Sequence, residues 1–287
     1  MAGASIAKPI RVFPKENICS IIDRPMTQTD AALATALETL RSRGLGLRRG
    51  SEAPALDRSR PSVPTGHPSL DAALAGGQGG TGGWPRGALA LLDGSMGSGA
   101  TTLALGSLRA TQEAGGLVAW IDLDGTLDPA VATRLGVSLE WLLLARPHDA
   151  AEAVELAAWL GRSGLIDALV LDLGERAAPD RRALDRFGTL LARSGRTSAL
   201  VLAPTGRAVV GSVAGVRVSL RRSAWLAVGR DLVGQRVHAT VDRHRWALAG
   251  ASAQLDLWFG EGRRIDPLVA SLARPLEERP ALRVVSA

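Results

Sequence analysis

Lysine is nearly absent from this 287-residue chain: Lys8 and Lys15 are the only two, and the rest of its 34 basic residues are arginine. A single cysteine, Cys19, excludes an internal disulfide and a zinc cluster built on thiolates, and it fits a cytoplasmic setting. The four histidines, His67, His148, His238 and His244, show no metal-ligand spacing, so no metal site is predicted. There is no tyrosine. The seven tryptophans fall along predicted core elements and read as packing residues rather than as a base-stacking platform. No apolar run approaches the ~18 residues of a membrane span. The first twenty residues lack a continuous apolar stretch, so neither a membrane helix nor a secretory leader is predicted.

What is present is ample apolar material, 46% of the chain, enough for the core of one large α/β domain with appendages or of two small domains. The net charge of +6 suits a polyanion or an acidic protein partner. A preference for arginine beside abundant alanine and glycine is also what a GC-rich coding sequence produces. Charge alone leaves both explanations open.

Residues 1–28 hold both lysines and the cysteine, follow no helical or alternating pattern, and read as a flexible extension. Residues 29–68 are predicted as a short helix, with Leu33, Leu37 and Leu40 at i, i+4 and i+7 and Gly44 to end it, followed by a linker rich in Gly, Pro, Ser and Arg. Residues 69–265 form the core domain and 266–287 a short tail. Within the core, apolar runs at Ala88–Leu92, Leu117–Ile121, Ala168–Asp172 and Ser198–Ala203 have the length and continuity of buried parallel strands. Helical spacing over Thr101–Ala114, Asp128–Leu135, Asp149–Arg162 and 180–193 alternates with them, as βαβ units require. After residue 215 the segments Val216–Leu220, Ala224–Val228, Arg236–Val241 and Gln254–Trp258 lie between turn signals and predict an antiparallel extension of the sheet.

Residues 94–102 read Gly-Ser-Met-Gly-Ser-Gly-Ala-Thr-Thr. The phosphate-binding pattern G-x-x-x-x-G-K-[ST] is met at Gly94, Gly99 and Thr101, with Gly97 and Thr102 adding to the loop, but the lysine position is Ala100. Backbone N–H groups at such a helix start still form an anion nest. The ammonium that would reach the β- and γ-phosphates is missing, and neither Lys8 nor Lys15 lies near in sequence. A strand ending in an acid that would hold Mg²⁺ is found at Asp172, and an acid to orient water at Asp122-Leu-Asp124.

The chain resembles the RecA family from about residue 30 to 265. The resemblance is carried by Thr65-Gly-His-Pro-Ser-Leu-Asp-Ala-Ala-Leu74, the loop 94–102, Ile121-Asp-Leu-Asp-Gly-Thr-Leu-Asp-Pro129 with Arg134-Leu-Gly-Val137, and Arg162-Ser-Gly-Leu-Ile-Asp-Ala-Leu-Val-Leu-Asp172. Val216-Arg-Val-Ser-Leu-Arg-Arg222 and the stretch from Asp231-Leu-Val-Gly234 to Leu257-Trp-Phe-Gly-Glu-Gly262 continue it. It implies a RecA-like α/β core: a mostly parallel central sheet flanked by helices, an antiparallel extension and an N-terminal docking helix at 29–43. It also implies departures. Ala100 replaces the family's loop lysine, Asp124 stands for its catalytic glutamate, and Pro204-Thr205 for the residue that senses the γ-phosphate. The first DNA-binding loop is deleted after Asp172, and the second is reduced to Gly206–Gly215. The paired basic residues that reach a neighbour's nucleotide resemble Arg243 and Arg245, beside Trp246.

This pattern is most similar to ImuA-type members, which are encoded with an ImuB-like Y-family adaptor and an error-prone polymerase. The resemblance implies a non-catalytic regulator of the SOS response that acts in translesion mutagenesis, needs no cofactor and meets RecA or those proteins as partners. Leu33, Leu37, Leu40, Arg243, Arg245 and Trp246 are its candidate interface. An accessory DNA-binding module working through Arg217, Arg221 and Arg222 is the alternative, as is a weakly active DNA-dependent ATPase.

Overall fold

The computed structural model describes residues 38, 39, 42, 61–76, 82–174, 179–204, 207–259 and 267–276. The chain divides after Ala55. Of the first unit, Glu38, Thr39 and Ser42 are helical, while Leu33, Leu37 and Leu40 lie outside the described residues, as does the extension 1–28.

The second unit opens with β1 (Ser62–Val63), α1 (Pro68–Leu74) and β2 (Trp84–Pro85). Residues 61–68, expected as the end of a linker, belong to the core instead. β1 pairs with β2, Val63 and Thr65 are buried, and the Thr65 N–H donates to Asp71 Oδ1 at 2.9 Å. Trp84 is fully buried and donates through Nε1 to Ser107 Oγ at 2.9 Å, while Ser107 Oγ lies 3.0 Å from the Thr65 carbonyl. A buried indole N–H without a partner would be costly, so this chain of contacts fixes the small hairpin on the main body.

The main sheet follows from β3 (Ala88–Gly94), β4 (Val118–Asp122), β5 (Leu142–Ala145), β6 (Ala168–Asp172), β7 (Ser198–Leu202), β8 (Val216–Val228), β9 (Asp231–His244) and β10 (Ser252–Trp258). Their spatial order is β10-β9-β8-β3-β7-β6-β4-β5, and β11 (Arg274–Leu276) pairs with β8. β3 to β7 are parallel to their neighbours, and β8 also runs parallel to β3. The β8–β9–β10 end is antiparallel.

Side-chain alternation divides the core between the two faces of the sheet. Ala90, Leu92, Val118, Trp120, Val170 and Leu200 face α1 and α2 (Ala100–Glu113). Leu89, Leu91, Ala119, Ile121, Leu169 and Val201 face α4 (Ala150–Ser163), α5 (Arg181–Ser194) and α6 (Arg207–Val213). A strand buried on both faces must be apolar throughout, which is why these strands stood out as uninterrupted runs. α5 places Leu184, Phe187 and Leu191 fully inside, each worth roughly 2 kcal/mol of transfer free energy.

Asp128, Asp149 and Asp180 each accept a backbone N–H at the N-cap of α3 (Pro129–Arg134), α4 and α5, so these three starts lie within a residue of their expected positions. Val216–Leu220 and Ala224–Val228 are one strand, with a register shift between Arg222 and Ala224. Gly206–Gly215, expected as a reduced loop, contains α6. The tryptophans divide. Trp84 and Trp120 are core residues, whereas Trp141 and Trp159 are more than half exposed.

Candidate functional site

The glycine loop joins β3 to α2. Gly97 (φ 76°) and Gly99 (φ 92°) take the left-handed conformation, which side chains disfavour, so glycine at both positions sets the path. The turn is closed by Ser98 N–H on the Ser95 carbonyl at 2.9 Å, and α2 begins at Ala100 with Leu103 N–H on the Gly99 carbonyl. Where the pattern calls for an ammonium, the structure places a methyl group packed toward the core. Above the loop opens a cavity of about 630 Å³.

Three acids line that cavity, and one of them, Asp93, is paired with Arg217. The other two are Asp172, which ends β6, and Asp124, which follows β4. Asp124 lies against Gly174, where a Cβ would stand 2.0 Å from Asp124 Oδ2. The Gly174 N–H donates to Asp172 Oδ1 at 3.2 Å. Burial drives the Asp172 carboxyl up to about 6; the Gly174 bond opposes this, while Asp122 and Asp124 add to it. Asp122 has a different task. It is fully buried and accepts the N–H groups of Thr126 and Leu127 at 3.0 Å each, which holds the turn carrying Asp124.

The far wall comes from the antiparallel end of the sheet and was not foreseen. Gln235, buried on β9, sets its carboxamide against the loop; turned so that both loop groups are satisfied, its nitrogen donates to the Gly97 carbonyl at 3.1 Å and its oxygen accepts from the Gly99 N–H at 3.2 Å. Arg222 donates from Nη1 to the same Gly97 carbonyl at 3.1 Å, and its guanidinium lies 4.2 Å from the Trp225 ring centre. Trp225 meets Phe259 edge-on at 6.2 Å, and both rings line the cavity. The one sequence signal for Gln235 was its position: it shares the core face of β9 with Val237, Ala239 and Val241.

Residues 42–183 match the family model for the RecA N-terminal domain. The RecA protein of Corynebacterium efficiens is 31% identical over 280 residues, covering 85% of this chain and 69% of that protein. The RecA protein of Rubrobacter xylanophilus is 33% identical over 235 residues, covering 70% and 67%. The chain belongs to the RecA family. A crystal structure of the RadB recombinase shares its fold, with TM-score 0.50 and 19% identity over 68% of this chain and 95% of that one. The RecA-like architecture expected from the sequence, parallel sheet and antiparallel extension together, is therefore the one observed.

The remaining candidate residues of this RecA-family chain fall in separate places. On β8, Arg217 and Arg221 share the solvent face, while Arg222 lies on the core face and serves the loop. Arg217 pairs with Asp93 at 2.5 Å and lies 3.7 Å from Asp242, whereas Arg221 is exposed. At the end of β9, Arg243 donates to the Gly211 carbonyl of α6 at 3.2 Å. Arg245 stacks 5.8 Å from the Trp246 ring, which lies against Gly215. Pro204 lines the cavity; Thr205 lies outside the described residues. Among the described residues no helix is long and apolar enough to cross a membrane, and no group of His, Cys, Asp or Glu is arranged to hold a metal.

Proposed function

We propose that this chain is a RecA-family regulator without turnover of its own, which acts through protein contacts on RecA filaments and directs the damage response toward mutagenic bypass. The observation that carries the reading is Ala100, a methyl group at the start of α2 in a loop whose two left-handed glycines are intact. The donors present hold a nucleoside triphosphate poorly. The ammonium is missing, and the Gly99 N–H, which a phosphate would use, is taken up by Gln235. The acid in place of the family's glutamate is Asp124, one methylene shorter, and Pro204 offers no side-chain donor to a γ-phosphate.

Surfaces for protein contact accompany these losses. β5 is an edge strand carrying Leu143 and Leu144 at 48% and 40% exposure, beside Trp141 at 58%. Edge strands with exposed apolar side chains mark pairing surfaces. Arg243, Arg245 and Trp246 form a second candidate contact at the end of β9. Docking on a filament end while presenting an incompetent face would stop head-to-tail growth. The similarity to ImuA-type members extends the reading to an ImuB-like adaptor and an error-prone polymerase as partners in SOS mutagenesis.

The test is the single-stranded-DNA-dependent ATPase rate of cognate RecA as this protein is titrated in, with the protein alone as control. A fall at substoichiometric amounts, with no hydrolysis in the control, is the expected result. An unchanged RecA rate overturns the filament contact, and hydrolysis by the protein alone overturns the reading of Ala100.

A further inference from the structure

Along β9 the core-facing positions are Gln235, Val237, Ala239 and Val241, so a carboxamide occupies a site the strand otherwise fills with apolar groups. Burying an amide is costly unless it is hydrogen-bonded, and Gln235 is only 4% exposed. Its partners are the glycine loop itself, the Gly97 carbonyl at 3.1 Å and the Gly99 N–H at 3.2 Å. A carbonyl and the N–H two residues later are the pair an adjacent strand would engage, and here one side chain engages both. The fit depends on Gly99 lacking a side chain, because a Cβ there would stand 2.6 Å from the end of the Gln235 carboxamide and 2.5 Å from Leu257 Cδ1. Gln235 is also held in place from both sides, opposite Trp225 on β8 and Leu257 on β10. Arg222 secures the same Gly97 carbonyl from across the hairpin.

The N–H groups at the start of a long helix are the donors that cradle a phosphate. Gly99 is the last residue before the fourteen-residue α2. We propose that Gln235 is an internal ligand of the glycine loop, competing with phosphate for the Gly99 N–H and so setting the loop's affinity for phosphate-bearing ligands. The side chain holds the loop in its cradle shape and at the same time keeps it closed to anions. This rests on the reading of the loop as a retained cradle without turnover. Its test involves no RecA, so the two readings fail separately.

The experiment titrates ADP, and separately pyrophosphate, into the full chain by calorimetry, comparing the wild type with Gln235→Ala and Gln235→Leu. The leucine keeps the buried volume if alanine destabilises the strand. Releasing one loop donor tightens ADP binding by about ten-fold in both variants, the effect of one hydrogen bond. In the ligand-free variants, amide hydrogen exchange over residues 94–102 becomes faster than in the wild type. An ADP affinity no tighter than the wild type's, undetectable binding in all three proteins included, overturns the proposal. Unchanged exchange across the loop overturns it independently.

Discussion

Replacing Asp172 with asparagine should stabilise the fold, and by an amount that depends on pH. The wild-type carboxyl is half-buried at the end of β6 next to Asp122 and Asp124, and its proton affinity rises from 3.8 to about 6. Between those two values the folded chain holds a proton that the unfolded chain has released. Stability therefore falls as pH rises through this window, and the cost is fully present above about 6 and absent below 3.8. Two pH units correspond to ~3 kcal/mol, an upper bound because asparagine brings its own amide group to satisfy. The Gly174 N–H keeps an acceptor in the variant, since the asparagine carbonyl takes the place of Oδ1. At roughly 2–4 °C per kcal/mol for a chain of this size, Asp172→Asn should melt on the order of 5–10 °C above the wild type at pH 8. Thermal or urea unfolding at pH 8, 6 and 4.5 measures this, and the advantage should shrink across that series. An equal melting temperature at pH 8, or an advantage of the same size at every pH, would refute the account of the acid cluster.

Trp84→Phe removes the indole N–H that reaches Ser107 and leaves a gap in a fully buried position. It should cost about 1–3 kcal/mol in urea unfolding. Leu143→Lys places a charge on the exposed edge of β5 and should weaken association with RecA, read by light scattering or pull-down of purified proteins, while leaving the melting temperature within a degree or two of the wild type. Ala100→Lys restores the ammonium but leaves Gln235 on the loop and Asp124 beside Gly174. Phosphate release should stay at background with or without single-stranded DNA, and measurable turnover would show that the lysine alone was missing.

Much of the fold was legible because burial on both faces leaves a mark in sequence. Ala168–Asp172 is apolar up to its final acid, and the observed strand has the same bounds. β5 left no comparable mark, since Leu142–Ala145 is a four-residue edge strand that exposes leucines no periodicity argument would place outside. β8 read as two strands because Arg221-Arg222-Ser223 interrupts its alternation, where the structure has an irregular register instead of a break. α6 escaped notice because its seven residues offer too little periodicity and lie between glycines. At the site, the loop glycines, Asp124 and Asp172 were readable from local patterns. Gln235 was not, because its role depends on a contact between β9 and the loop, more than a hundred residues apart in sequence. Arg222, read with Arg217 and Arg221 as a candidate DNA contact, is turned by the register of β8 toward the Gly97 carbonyl, a contact no local pattern announces.

β9 carries Gln235 near one end and Arg243 near the other, eight residues or ~27 Å along a strand at its usual rise. It is hydrogen-bonded on both edges, to β8 and to β10, over most of that length. Sliding it by one residue would turn every core side chain outward, so the strand cannot transmit occupancy of the loop by changing register. Whatever displaces Gln235 moves a side chain and leaves the strand in place. The Arg243 end therefore stays in one state, and a partner that recognises it should bind equally well whether or not the loop holds a ligand. Absence of nucleotide-dependent affinity would thus set this chain's contacts apart from those of a molecule that switches.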